Sequence, residues 1–224
     1  MGQAVGSSVG GAAIHMDELF LTLPFYPPES HVKGMLVNES GARFINEDAY
    51  AGRVAHFIAS QIGDHYYLLV DDAIFERPSE YSKIEIAAVG ETWEEVETEL
   101  GMTPGTLVSS VEIYNRYAEK GEDPLFHKDP AWLKPLVDPP FAALACHLKE
   151  AYYPFFTLGG LSVRPSGEVL TTDGKAVPGL YAAGRTACGL PRWGPGYSSG
   201  MSLGDCTFFG RRAGRSAAES AGEA

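Results

Sequence analysis

Hydrophobic and polar positions along this chain follow an extended rhythm, then a helical one, then an extended one again. Residues 19–28, LFLTLPFYPP, are apolar and stopped by prolines, which predicts a strand. Met35–Val37 and Arg43–Ile45 flank the polar turn Asn38–Gly41 and predict a β-hairpin. Between residues 50 and 62, Val54, Phe57, Ile58 and Ile62 recur at helical spacing, and Tyr66–Val70 is a short apolar strand. Two amphipathic helices follow. The first covers 92–100, with Thr92 as N-cap and Glu95 completing a capping box. The second covers 103–120, with Thr103 as cap, Pro104 at N1, and Leu107, Val111, Tyr114 and Tyr117 on one face. From Phe141 the pattern alternates as a strand to residue 156. Short strands then follow, divided by turns at Ser166-Gly167, Asp173-Gly174 and Pro178-Gly179. A last strand, Leu180 to Ala183, runs into Gly184, a Gly/Pro-rich loop, and a helix opening near Gly200.

This alternation divides the chain. Residues 30–140 read as an inserted α+β unit, and the flanks 1–29 and 141–224 as parts of one other domain. The small residues before position 15 predict a helix that packs closely on a neighbour, although glycine is costly inside a helix. Residues 121–140 form a proline-punctuated connection, too polar for core and too aromatic for an inert linker.

Composition narrows the classes. With 45% hydrophobic residues in 224, the chain can bury a core. A net charge of −12 argues against nucleic acid or an anionic membrane surface as a partner. No apolar run approaches the roughly 20 residues of a membrane span, and the first residues lack the pattern of a signal peptide. Cys146, Cys188 and Cys206 are odd in number and widely spaced, which predicts reduced thiols of a cytoplasmic protein. The scattered histidines form no metal cluster.

Five segments in order carry a resemblance. GMLVNESGARFINED is similar to a G-hydrophobic-x-V-N-x-x-G-x-R-F-x-N-E hairpin. ETWEEVETELGMTPGTLVSSVEIYNRYAEKGEDPLF is similar to a helical pair, and PPFAALACHLKEAYYPFFTLGGLSV to a return strand. PGLYAAGR and GMSLGDCTFFGRRAG are similar to a terminal flavin-contacting motif. Together they resemble the fumarate reductase/succinate dehydrogenase flavoprotein superfamily, above all its 3-ketosteroid dehydrogenase branch. The resemblance implies a mixed α+β and α/β fold: the C-terminal portion of a flavin-binding, Rossmann-like domain with an inserted α+β cap domain. It also implies FAD. The family's GxGxxG half, which seats the pyrophosphate on a helix N-terminus, is missing from this sequence. Either the chain is a truncated piece, or a second polypeptide carrying GxGxxG supplies that half. Faces left uncovered by its absence predict a dimer or a complex.

The same resemblance assigns site residues. Gly184 ends a strand where backbone can approach a ligand that a Cβ would block. Arg185 stands where the family usually carries an acid or amide, so its contact is either redirected to a phosphate or lost. Gly200, Ser202 and Leu203 open the last helix, whose positive end would face the pyrimidine edge of a bound flavin. Tyr197 and Gly200 lie where the ketosteroid branch polarises a substrate ketone; the alternative for Tyr197 is an aromatic loop anchor. A fumarate-type clamp would need a histidine at Phe156 and an arginine near Tyr197, and only Arg192 is close in sequence. An apolar ketone suits Tyr152, Tyr153, Phe155, Phe156 and Trp193 better, unless these aromatics are core. Three readings follow: an FAD-dependent oxidoreductase fragment or subunit acting on CH–CH groups of a ketosteroid-like or other cyclic ketone, a non-catalytic partner subunit of a split flavoenzyme, and a fumarate reductase-like enzyme.

Overall fold

The computed structural model describes residues 2–60 and 63–222, so Ile62, expected to close a helix, lies outside the described residues. The chain separates into two compact units, one of residues 1–21 and 155–224 and the other of residues 22–154.

The second unit is built on one antiparallel sheet. Its strands are β3 (Met35–Asn38), β4 (Tyr66–Asp71), β5 (Ile86–Gly90) and β6 (Phe141–Ala145), in the order β3-β4-β6-β5. Tyr66 to Asp71 are all buried, which explains why β4 reads as a continuous apolar run rather than an alternating one. β6 is a central strand paired to both β4 and β5. The structure therefore groups residues 22–29 and 141–154 with this unit, where the sequence had assigned them to the flanking domain. The predicted hairpin keeps its turn but reduces its second strand to a single bridge between Val37 and Arg43.

Three helices belong to this unit: α2 (Ala51–Ser60), α3 (Trp93–Glu99) and α4 (Thr106–Ala118). Thr92 caps α3 as predicted, its Oγ1 accepting the Glu95 N–H at 3.3 Å. Glu95 completes the box one residue early, on the Glu91 N–H at 2.7 Å. The expected start of α4 at Thr103 is corrected. The helix begins at Thr106, because buried Glu97 accepts the N–H groups of Gly105 and Leu107, each at 2.7 Å. A carboxylate from the neighbouring helix thus does the capping that a local side chain was expected to do. The proline-punctuated segment also contributes to the core, since Leu136 and Lys128 are buried within it. Asn115 grips Leu136 at both its N–H, at 2.8 Å, and its carbonyl, at 3.0 Å.

One charged cluster locks this unit. Glu47 is 1% exposed and accepts from Leu36 N at 2.8 Å, Arg43 Nη2 at 2.9 Å and Lys128 Nζ at 3.0 Å. Arg43 also reaches Asp123 at 2.8 Å and lies over the Tyr114 and Phe126 rings. Burial opposes the Glu47 charge, but Lys128 and Arg43 outweigh it and hold the carboxyl below its ordinary range. The network closes the unit by joining the hairpin to the segment after α4.

The other unit is assembled from small pieces. Helix α1 (Gly2–Ser8) is shorter than the small-residue stretch suggested, and a Cβ on Gly6 would stand 2.3 Å from the Leu161 side chain. β1 (Ala13–Ile14) pairs with β8 (Gly160–Leu161), and β2 (Leu19–Leu21) with β7 (Phe155–Thr157). The long strand expected over 19–28 shrinks to β2 because Pro24, Pro27 and Pro28 cannot donate to a ladder. The run expected as one strand from Phe141 to 156 is interrupted by a turn, leaving β6 and β7 in different units. β9 (Glu168–Leu170) and β10 (Ala176–Tyr181) form a hairpin. Pro178-Gly179, predicted as a turn, instead forms an irregularity inside β10. Helix α5 (Met201–Gly222) ends the unit, and its buried residues are Asp205 and Ala213. Among the described residues no helix is long and apolar enough to cross a membrane.

Candidate functional site

Beyond β10 the chain turns at Gly184, whose φ of +61° is a left-handed value that favours glycine. A short 3-10 turn, Gly184–Thr186, leads into a loop held by β8: Cys188 N–H reaches Leu161 O at 2.9 Å. Ala182, Ala183 and Gly184 then line one side of a cavity of about 250 Å³, with Cys188, Gly189 and Asp205 also on its wall. Burial pushes the Cys188 thiol above its ordinary value, against the pull of Arg192 and Arg185.

The remaining site residues lie in the loop before α5 and in its first turn. Tyr197 is buried against Phe20, with ring centroids 4.4 Å apart, and against Phe156 at 5.6 Å. Its hydroxyl donates to Ser202 Oγ at 3.1 Å, so the structure joins a predicted catalytic residue to a predicted cofactor contact. Gly200, at φ +89°, supplies the bend from which α5 starts. Met201 N–H reaches Ser198 O at 3.2 Å and Gly204 N–H reaches Gly200 O at 2.9 Å. Ser202 and Leu203 lie between them in the first turn, where N–H groups have no helical acceptor and the helix presents its positive end. The Leu203 side chain is 73% exposed.

Arg185 does not line the cavity. Its guanidinium donates to the Thr157 carbonyl and lies 5.5 Å above the Phe156 ring. The redirection of this arginine is therefore toward its own unit's β7. Arg192 is likewise engaged, donating to Gly189 O at 2.9 Å. Of the aromatics named for an apolar substrate, Tyr153 is core: its hydroxyl donates to Cys146 O at 2.6 Å. Tyr152, Phe155 and Trp193 are at least half exposed.

Sequence reasoning missed Asp205. It is buried one turn into α5, and its Oδ1 accepts the Leu190 N–H at 2.7 Å. The only local signal was an acid among apolar neighbours in the helix, because its partner lies 15 residues away.

FAD fits the residues present in one respect that can be tested on geometry: the cavity wall at Ala182, Ala183 and Gly184 carries nothing larger than a methyl group, as a flat ring requires. The open N–H groups at the start of α5 suit the electron-rich edge of such a ring. Among the described residues no set of His, Cys, Asp and Glu is placed to hold a metal.

Comparison with known proteins identifies the family. Residues 29–200 match the FAD binding domain family. The structure superposes on a 3-ketosteroid Δ4-(5α)-dehydrogenase from Rhodococcus jostii, solved with 4-androstene-3,17-dione. The TM-score is 0.79 and the identity 37%, over 96% of this chain and 44% of that one. A cytochrome-type fumarate reductase of Shewanella frigidimarina is 29% identical over 83% of this chain and 32% of its own length. A 4-oxocyclohexanecarboxylate 2-dehydrogenase of Sinomonas cyclohexanicum is 28% identical over 82% of this chain and 36% of its own. The chain thus spans about a fifth to a third of the length of the curated relatives it matches. It belongs to the FAD binding domain family, the flavoprotein superfamily of fumarate reductases and 3-ketosteroid dehydrogenases, whose cofactor is FAD.

Proposed function

We propose that this chain is the ring-side part of an FAD-dependent oxidoreductase acting on the CH–CH bond of a ketosteroid-like or other cyclic ketone. The unit of residues 1–21 and 155–224 is the partial flavin-binding domain, and the unit of residues 22–154 is its cap. A GxGxxG half, on a second polypeptide or a longer form of the chain, supplies the phosphate-binding contacts. The observation that carries this reading is the 37% identity, sustained over 96% of the chain, to a ketosteroid dehydrogenase.

Bound FAD supplies a hydride acceptor or donor. The chain supplies position and field. Ala182–Gly184 give the ring a flat approach, and the N–H groups of Ser202 and Leu203 favour negative charge at its edge. Tyr197, packed between Phe20 and Phe156, offers its hydroxyl to a ketone oxygen by turning its single proton away from Ser202 Oγ, and Gly200 offers its backbone. The fumarate-type reading stays second: Arg185 places one nitrogen on the Thr157 carbonyl and Arg192 its Nε on Gly189 O, which leaves each guanidinium further donors but brings neither to a second clamp residue among those named.

Titration of the purified chain with FAD, alone and with a GxGxxG polypeptide, tests the reading by flavin absorbance and fluorescence. Flavin retained in the mixture, with turnover of a 3-ketosteroid exceeding that of fumarate, is the expected result. If no flavin binds even with the partner, the non-catalytic alternative replaces this one.

A further inference from the structure

The wall of the 250 Å³ cavity is fixed unevenly. On its upstream side β8 holds Cys188, whose N–H bonds Leu161 O at 2.9 Å, and Ala187 N–H closes the local turn on Gly184 O at 3.0 Å. Two residues later the hold comes from Asp205. Its Oδ1 accepts the Leu190 N–H at 2.7 Å. A Cβ on Gly189 would stand 2.2 Å from Oδ2, so the carboxylate lies directly against the backbone of two consecutive wall residues. Asp205 is 6% exposed, and among the described residues no cation forms an ion pair with it. Its contacts are the short Leu190 N–H bond, the Gly189 backbone and its own place one turn into α5. Arg192 Nε donates to Gly189 O at 2.9 Å, tying the same wall residue to the loop beyond it.

We propose that Asp205 is the positioning residue of this cavity: its carboxylate holds Gly189 and Leu190 as the wall against which the cofactor ring lies. The proposal rests on reading the cavity as the ring-side flavin site. Asp205 acts through the Leu190 amide and its contact with the Gly189 backbone.

Amide hydrogen exchange on the full chain decides it. Asp205→Ala removes the acceptor, and exchange at Leu190 should accelerate about tenfold or more, the equivalent of losing one hydrogen bond to a charged group. Exchange at buried β4 amides such as Leu68 should not change. Asp205→Asn keeps an acceptor oxygen and should restore Leu190 protection to within about threefold. Should the alanine variant fail to fold, Asp205→Glu serves instead: the charge stays, the longer side chain overfills the contact with Gly189, and Leu190 exchange rises all the same. In FAD titration with the GxGxxG partner, the alanine variant should bind about tenfold more weakly and the asparagine variant near the parent. Unchanged Leu190 exchange in Asp205→Ala overturns the proposal. So does acceleration spread evenly over the chain in all variants, which marks a merely structural residue. If the parent chain takes up no flavin, the proposed function fails, while the exchange data still judge whether Asp205 holds the wall.

Discussion

The two units solve the problem of stability differently. The unit of residues 22–154 closes on itself: a four-stranded sheet, helices whose exposed N–H groups are capped from within, and a buried quartet of Arg43, Glu47, Asp123 and Lys128. The unit of residues 1–21 and 155–224 has two-stranded ladders and a 22-residue helix that buries only Asp205 and Ala213. Leu203 and Phe208 stand on that helix 73% and 59% exposed, alongside Arg211, Arg212 and Arg215. Gly184, Arg185, Tyr197, Gly200, Ser202 and Leu203 all lie in the unit of residues 1–21 and 155–224, while Tyr152 and Tyr153 lie in the other.

The largest test of this contrast is Glu47→Ala. It leaves Lys128 and Arg43 buried without their shared carboxylate, which should cost about 3–5 kcal/mol. Trp93 and Trp132 report the unit of residues 22–154 and Trp193 the other, so urea unfolding of single-tryptophan versions assigns the loss. A loss below about 1 kcal/mol would mean the cluster is wetter than it looks. Next is Gly160→Ala in β8, whose new Cβ would stand 2.4 Å from the Ala187 carbonyl carbon. Backbone cannot rotate away as a side chain can, so about 1–3 kcal/mol should be lost, on the Trp193 signal alone. An equal loss on both signals would show that the units do not unfold separately.

These two sites also show how far the sequence reaches. Periodicity exposed α2, α3, α4 and β4, because each is a local pattern of side chains facing one core. It did not expose the Glu97 cap of α4, whose acceptor comes from another helix. Nor did it expose Lys128 as core, since a buried lysine is legible only through partners such as Gly34, 94 residues away. Domain boundaries shifted for a like reason: the chemistry of Phe141–Ala145 suits any buried strand, and only its pairing with β4 and β5 fixes its unit. At the site, Gly184 was legible as a strand end that lets backbone approach a ligand and Gly200 as the opening of the last helix; both have positive φ. The Tyr197–Ser202 bond lies within five residues, yet Asp205 to Leu190 required the fold.

Acid should separate the units more gently. Burial lowers the pKa of His31, whose Nε2 accepts the Glu76 N–H at 3.4 Å. Burial, then the neighbouring His65, lowers that of His147, whose Nδ1 accepts the Tyr66 N–H at 3.2 Å. Both belong to residues 22–154. Above the ordinary value of 6.5 each is neutral folded or unfolded, so stability there is full. As pH falls below 6.5 the unfolded chain binds protons first, and stability declines until the lower folded values are passed. Glu47, with its pKa lowered, adds a second decline below its ordinary 4.5. The Trp93 and Trp132 signals should weaken from pH 6.5 downward while the Trp193 signal holds. His31→Gln should flatten the upper limb, and an unchanged slope would remove His31 from the account.

The smallest expected effect on folding belongs to Tyr197→Phe. The ring stays between Phe20 and Phe156, so packing is kept and only the bond to Ser202 Oγ is lost, about 0.5–1.5 kcal/mol on the Trp193 signal. That smallness makes the variant informative. If Tyr197 is only a loop anchor, turnover with the completed flavoprotein should track the slight loss of stability. If its hydroxyl polarises a ketone, kcat should fall about 10²-fold or more with the fold intact, because a positioned proton donor contributes on that scale. Flavin affinity should stay near the parent value in either case, since the hydroxyl is directed at Ser202 Oγ and not at the cavity beside Gly184. A large loss of flavin affinity would instead place Tyr197 with the cofactor contacts, and would make the exposed side of α5 and the cavity wall parts of one binding surface.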